Sequence, residues 1–460
     1  MNLLNIINSA ISAFANFMWG PPLLFLLLGG GLFFSFYSRF VPFKYFGHGF
    51  NILLGRYHDP KDPGEITHFQ ALSSALASTV GLGNISGVAI AIQMGGPGAL
   101  FWMWISAILG MSTKFFSCTL SVLFRGKDDQ GNVQGGPMYY IENGLGKKYR
   151  PLSILFSAAG LIGCTVIFQS NQLAQIIRDQ LFVNDNEWFL YWYSDITNLC
   201  LGLFMAIITG IVVFGGIKRI GQVASYLVPI MVLLYLFSGL LVIFNHISEI
   251  PSLFGLIIHD AFTGDAVMGG AVGSVIIAGV RRALFSNEAG LGTSDMAHGA
   301  AKTKEPVREG LVAMIEPFID TIVVCTITAM VILSSGVWEQ EGLNGVTMTT
   351  AAFIKELGGF GKFLLLSAVL TFSLSTMMSY SYYGSKCSGY LFGSKSIFYY
   401  RCFYIVTIVL GSMITIEVVI NLIDGMYAVM AIPTIVGSVM LSGKVMNEAK
   451  RYFSTLKKSN

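Results

Sequence analysis

Apolar stretches of about 20 residues recur from one end of the chain to the other, each long enough to cross the roughly 30 Å hydrocarbon layer of a bilayer at 1.5 Å rise per residue. Lipid offers no hydrogen bonds to a peptide group, so such segments must satisfy their backbone internally and fold as helices. Of the 460 residues, 54% are hydrophobic and 12% charged, which leaves no room for a sizeable soluble domain. The expected fold class is therefore an all-α polytopic membrane protein, one transmembrane domain over residues 1–460. The segment before the first apolar run lacks the basic start and the cleavage site of a signal peptide, so that run is expected to stay as a helix. Six cysteines stand singly, without a CxxC pair, and read as inert thiols.

Apolar runs set against polar breaks predict about eleven spans. They are Trp19 to Tyr37, Phe69 to Met94, Ala99 to Phe124, Leu152 to Leu181, Asn198 to Phe214, Gly221 to Phe244, an interrupted Ser252 to Phe285, Val307 to Leu333, Lys362 to Gly384, Ile397 to Thr415 and Glu417 to Leu441. Alternate connections are basic: Arg39, Lys44 and Arg56; Arg125, Lys127, Lys147, Lys148 and Arg150; Lys218 and Arg219; Lys302, Lys304 and Arg308; Lys386, Lys395 and Arg401. The positive-inside rule makes these loops cytoplasmic, with the N-terminus outside and the basic tail 446–460 inside a cell (plasma or inner) membrane. If 1–45 holds an extra helix, two groups of about five remain, over 65–245 and 250–445, in opposite orientations and each opening on an interrupted helix. That pattern points to a secondary transporter with its site at the bilayer midplane.

The first interruption lies in "ALASTVGLGNISGVAIAI", Ala75 to Ile92. Gly81-Leu82-Gly83-Asn84 is poor helical material at the centre of a spanning run. A break there would turn the carbonyls of Ala77, Thr79 and Val80 toward a cation and the N–H groups of Leu82 and Gly83 toward a carboxylate. Glycines that merely let helices approach are the competing explanation. For the second interruption, "SNEAGLG" (Ser286 to Gly292) echoes the first, but would set Arg281 and Arg282 within the apolar half. "MGGAVGS" (Met268 to Ser274) keeps those arginines and Glu288 near the cytoplasmic end and is the expected break.

In "LTFSLSTMMSYSYYG", the hydroxyls of Ser375 and Thr376 with the carbonyl of Phe372 offer neutral oxygens suited to a hard monovalent cation, unless they only bond the preceding turn. Gln169 belongs to a polar cluster that must face the bundle or a water-filled path. Glu316 and Asp320, one turn apart in a spanning run, are candidate gate or ion-path residues, as is Glu288; near the cytoplasmic end they would pair with Arg281, Arg282 or Lys304. No P-loop, nucleotide-binding GxGxxG or HExxH is present, so neither ATP-driven pumping nor any enzyme activity has a motif, and an ion gradient must drive active transport.

The chain resembles the alanine or glycine:cation symporter family, the sodium:alanine symporters, through "STVGLGNISGVA", "GGPMYYIENGL", "LFSNEAGLGTSDMAHGAAKT", "EPFIDTIVVCT" and "STMMSYSYYG". The resemblance spans nearly the whole chain. It implies a LeuT-like inverted repeat of five plus five helices behind one extra helix, and sodium-coupled uptake of a small neutral amino acid, alanine or glycine, by alternating access. Carried over by residue, it implies a Na+ site of the Ala77, Val80 and Phe372 carbonyls with Ser375 and Thr376. It implies substrate contacts from Leu82, Gly83, Asn84, Gln169 and Tyr380, with Ala271 and Val275 as the facing wall. Relatives commonly show Trp where Tyr380 stands and Gly where Ser379 stands, which leaves a somewhat larger substrate open. Proton coupling through Glu316 or Asp320, or a nontransporting sensor or channel on the same scaffold, are the alternatives. The partners implied are the amino acid and the lipid bilayer, not nucleic acid.

Overall fold

The computed structural model describes residues 3–181, 187–263, 272–340, 342–413 and 417–459. In chain order these form α1 (Leu3–Met18), α2 (Pro21–Tyr37), α3 (Val41–Lys44), α4 (Phe46–Leu53), α5 (His68–Thr79), α6 (Val88–Gly95), α7 (Ala99–Leu123), the hairpin strands β1 (Gly126–Lys127) and β2 (Val133–Gln134), α8 (Pro137–Leu145), α9 (Arg150–Gly163), α10 (Ile167–Leu181), α11 (Glu187–Val213) and α12 (Gly216–Asn245). They continue as α13 (Ile250–Thr263), α14 (Val272–Asn287), α15 (Thr293–His298), α16 (Pro306–Ala313), α17 (Ile315–Pro317), α18 (Thr326–Ser335), α19 (Gly345–Phe392), α20 (Ser396–Met413) and α21 (Glu417–Ser459). Two π-helical segments, Gly83–Gly87 and Phe318–Cys325, interrupt the α geometry.

Among the described residues nine helices are long and apolar enough to cross a membrane, and ten if the bent pair α5/α6 is one span. The expected count of eleven is not reached because the Ser252 to Phe285 segment appears as α13 and α14, of 14 and 16 residues. Leu152 to Leu181, read as one span, falls in the single span Lys147–Arg178, in which α9 and α10 meet around Cys164 to Val166.

Local chemistry explains several boundaries. A capping box opens α5, Gln70 N–H donating to Thr67 Oγ1 at 3.2 Å while Thr67 N–H donates to Gln70 Oε1 at 3.0 Å. Proline in the first turn starts α2, α8, α9 and α16, where its missing N–H costs nothing. Within α19 Gly358 takes φ +60°, a kink that a side chain would resist. Beyond α7, Arg125 donates to the carbonyls of Pro63 at 3.1 Å, Gly299 at 2.8 Å and Thr303 at 3.0 Å, and to that of Ala301. It thereby gathers the loops ahead of α5 and behind α15, and burial holds its guanidinium down at about 10.

Small residues set the closest helix approaches. A Cβ on Gly310 of α16 would lie 2.1 Å from Thr119 Oγ1 and 2.6 Å from the Phe115 carbonyl, both on α7. Since a backbone carbonyl cannot step aside, Gly310→Val should destabilise the fold by about 1–3 kcal/mol through overpacking. A lowered thermal midpoint of the solubilised protein, beside an unchanged one for substitution at the open Gly29, is the expected result.

Candidate functional site

The first helix break is held by its own asparagine. Beyond Thr79 the chain turns extended at Val80 (φ −73°, ψ 95°), and α5 and α6 are bent by 51°. Gly81 N–H, which helical pairing would send to the Ala77 carbonyl, donates instead to Asn84 Oδ1 at 2.8 Å. Asn84 N–H, which would reach the Val80 carbonyl, bonds that of Gly81 at 3.1 Å. The carbonyls of Ala77 and Val80 are thus released from those bonds, while Leu82 and Gly83 open the second half with N–H groups that have no acceptor in their own helix. Asn84 departs from the expected substrate contact: its fully buried amide donates to the Asp320 carbonyl at 3.1 Å and to Asp320 Oδ1 at 2.7 Å. It braces the break rather than facing a ligand.

Of the expected break "MGGAVGS" the described residues Val272 to Ser274 are helical, and a break appears after α14. Helix α14 runs uninterrupted from Val272 to Asn287, and the chain leaves it at Glu288 (φ +52°), Gly290 (φ +89°) and Gly292 (φ +86°), before α15 begins. The cost assigned to the arginines is met by partners: Arg281 lies 3.6 Å from Asp424 Oδ2 and 5.6 Å over the Trp19 ring, and Arg282 lies 6.0 Å from the Phe285 ring. Ala271 and Met268 to Gly270 lie outside the described residues. Val275 is fully buried near Gly95, about 16 Å along the helix from Ser286, and does not wall the site. The two breaks meet directly: a Cβ on Gly83 would lie 3.5 Å from Ser286 Cα.

Between them sits a cavity of about 20 Å³, lined by Ser78, Thr79, Gly81, Leu82, Gly83, Phe168, Gln169, Phe285, Thr376 and Tyr380. Five of the expected residues, Leu82, Gly83, Gln169, Tyr380 and Thr376, converge here. Gln169 Oε1 is buried without a hydrogen-bond partner among the described residues. Thr376 Oγ1 would stand 2.9 Å from a Cβ on Gly81, so the hydroxyl lies against the break and excludes any side chain there. Ser375 and Thr376 each donate to the Phe372 carbonyl at 2.9 Å, which leaves their oxygen lone pairs available. Ala77 and Ser375 share an adjoining cleft with Ser379 and the α12 residues Ile220 and Ala224. Phe168 and Phe285, which sequence reasoning passed over although both flank polar motifs, close the cavity with rings 6.3 Å apart.

The sodium:alanine symporter family model matches residues 4–460. The chain belongs to the sodium:alanine symporter family. It is 38% identical to an uncharacterized transporter of Haemophilus influenzae over 98% of this chain and 97% of that one. It is also 38% identical to the sodium/alanine symporter AgcS of Methanococcus maripaludis, again over 98% of this chain and 97% of the relative. The crystal structure of MhsT in complex with L-phenylalanine aligns with TM-score 0.57 at 15% identity, covering 82% of this chain and 88% of that one. This symporter therefore has the LeuT-like fold and is a multi-pass amino-acid transporter, not an enzyme.

The symporter also buries Lys114, His68, His298 and Glu309, which its sequence did not flag. Lys114, in the middle of α7, lies 2.9 Å from Glu316 Oε2 and donates to Ser294. His298 Nδ1 is 2.5 Å from Glu309 Oε1, and His68 Nδ1 bonds the other oxygen of the same carboxylate. Glu316 is thus neutralised by Lys114, not by Arg281, Arg282 or Lys304, the last of which pairs with Asp62 at 2.8 Å. Glu288 accepts from the hydroxyls of Tyr380 and Thr293, tying the second break to the cavity wall. Asp320 Oδ2 accepts from Ser286 Oγ and Thr321 Oγ1 at 2.8 Å each. All of its partners are neutral.

Removing the Asn84 amide strips Asp320 of a donor and Gly81 N–H of its acceptor, each loss costing about 1–3 kcal/mol. Asn84→Ala should therefore lower the thermal midpoint as well as substrate affinity, whereas Val275→Ala should leave affinity unchanged. Substrate titrations on both variants, with melting curves, check this.

Proposed function

We propose that this chain moves a small neutral amino acid, alanine or glycine, into the cell together with Na+ by alternating access. One observation carries the reading: at the break the N–H groups that helical pairing would send to the Ala77 and Val80 carbonyls bond elsewhere, Ala77 shares a cleft with Ser375, and Leu82 and Gly83 line one cavity with Gln169 and Thr376. Neutral oxygens suit Na+, which would be held by the Ala77, Val80 and Phe372 carbonyls with Ser375 and Thr376. The carboxylate of the substrate would take the N–H groups of Leu82 and Gly83, as anions do at helix starts. Its ammonium would meet Gln169 Oε1, an acceptor otherwise without a partner. A cavity of about 20 Å³ holds little more than one water, so entry requires Phe168, Phe285 or Tyr380 to give way, and a small side chain asks least of them. The name of the archaeal relative AgcS supports the same ion and substrate.

In this reading, 65–245 and 250–445 are the inverted repeats behind the extra helix of 1–45, and the basic loops and tail face the cytoplasm. Glu288 positions Tyr380, Glu316 belongs to the buried ion pair with Lys114, and Asp320 lies beside both breaks. Asp320, bonded among the described residues to Asn84, Ser286 and Thr321, is the group that a second reading, proton coupling, would use.

In proteoliposomes, an inward Na+ gradient should drive concentrative uptake of labelled alanine. Uptake driven by a pH gradient without Na+ would move the coupling to Asp320, and no accumulation of any small amino acid would sink the proposal. Thr376→Ala should raise the Na+ concentration for half-maximal uptake about ten-fold, the equivalent of roughly 1.4 kcal/mol. Gln169→Leu should instead raise the alanine requirement and spare that for Na+.

A further inference from the structure

A second, larger cavity of about 420 Å³ opens at the basic-loop end of the bundle. It begins one turn beyond the Ala77/Ser375 cleft on the same two helices, Ile217 following from Ile220 on α12 and Tyr382 following from Ser379 on α19. Its lining holds Lys218, Lys386 and Arg401 against Glu65 and Asp128. Asp128 is already spent: it accepts from the N–H groups of Gln130 at 3.0 Å and Asn132 at 2.8 Å, and from Gln134 Nε2 at 2.8 Å. Lys386 is only 7% exposed, yet its ammonium meets only neutral groups at close range among the described residues, the amide oxygen of Gln134 and the Tyr382 ring 5.0 Å away. Among the described residues Arg401 donates to the Phe214 carbonyl at 3.4 Å, and its buried Nε has no partner. The Tyr382 hydroxyl, on a side chain 5% exposed, likewise has no partner among the described residues.

Among the described residues neither Lys386 nor Arg401 is in an ion pair, although Glu65 lines the same water-accessible space, and with the unpaired Tyr382 hydroxyl they form an incomplete shell. Burying the Lys386 ammonium with no anion in direct contact is costly. We infer that this cavity is a binding site for a small oxyanion, a carboxylate or a phosphate, held by Lys386, Arg401 and the Tyr382 hydroxyl. A guanidinium fork beside an ammonium suits several oxygens on one ligand better than a single spherical charge. Its place at the outer end of the seam from the proposed Na+ site puts the anion where a departing cation would otherwise meet two positive charges. The inference uses the proposed orientation only to say that the anion arrives from the cytoplasm.

Titration of purified full-length protein with inorganic phosphate, at constant ionic strength and without amino acid, tests this. Saturable binding is expected, weakened roughly ten-fold or more in Lys386→Gln and in Arg401→Gln. Tyr382→Phe, which deletes one hydroxyl, should weaken it less and guards against a loss that reflects misfolding. Displacement of labelled phosphate by alanine would identify the carboxylate of the departing substrate as a second source of the ligand; no displacement would leave phosphate alone. Absence of saturable phosphate binding, or equal affinity in wild type and both charge variants, overturns the proposal. None of these readouts depends on transport, so sodium-coupled uptake stands or falls separately.

Discussion

A helix broken inside a membrane bundle frees backbone groups where water cannot reach them, and everything around the site follows from how those groups are paired. Here a single amide does most of that pairing. Asn84 accepts from Gly81 N–H and donates to the carbonyl and carboxylate of Asp320, whose second oxygen takes the hydroxyls of Ser286 and Thr321. Through these bonds the first break, the end of α14 and the π-helical Phe318–Cys325 share one hydrogen-bonded knot. Because each bond lies in a dry interior, loss of any partner leaves a group that nothing else can satisfy.

Both π segments touch this knot, Gly83–Gly87 directly after the first break and Phe318–Cys325 around Asp320. A π turn inserts an extra residue and shifts the register of the side chains beyond it. In Phe318–Cys325 that lets Asp320 and Cys325 both reach Asn84 Nδ2, at 2.7 Å and 3.4 Å, although they lie five residues apart. The irregular geometry is thus part of what closes the knot.

How much of this was legible follows from whether a cue was local. The apolar runs, the glycines at Gly81 and Gly83 and the hydroxyls of Ser375 and Thr376 lie in short stretches; Gly81, Gly83 and Thr376 line one cavity and Ser375 the adjoining cleft. The break after α14 was passed over because an arginine inside an apolar run looks prohibitive until its partners are known. Asp424 and Trp19 sit far from Arg281 in sequence, and no spacing rule connects them. The same limit hid the pairing of His68 and His298 with Glu309, since each histidine taken alone reads as an isolated polar residue. Asn84 was found for the right local reason, a polar side chain at a break, but its direction depends on Asp320, which only the fold brings near.

The geometry also bears on coupling. The Ala77 and Val80 carbonyls and the Leu82 and Gly83 N–H groups belong to one short stretch of backbone, so any ligand that fixes either end restricts the other. A cation and a carboxylate bound at its two ends would each reduce the ordering cost left to the other, which is positive coupling without direct contact between them. Reciprocity then requires that the amino acid strengthen cation binding by the same factor that the cation strengthens amino-acid binding. The Asn84 brace limits how far the stretch can relax when empty, and so sets an upper bound on that factor: a break held too rigidly would bind both ligands well and link them poorly.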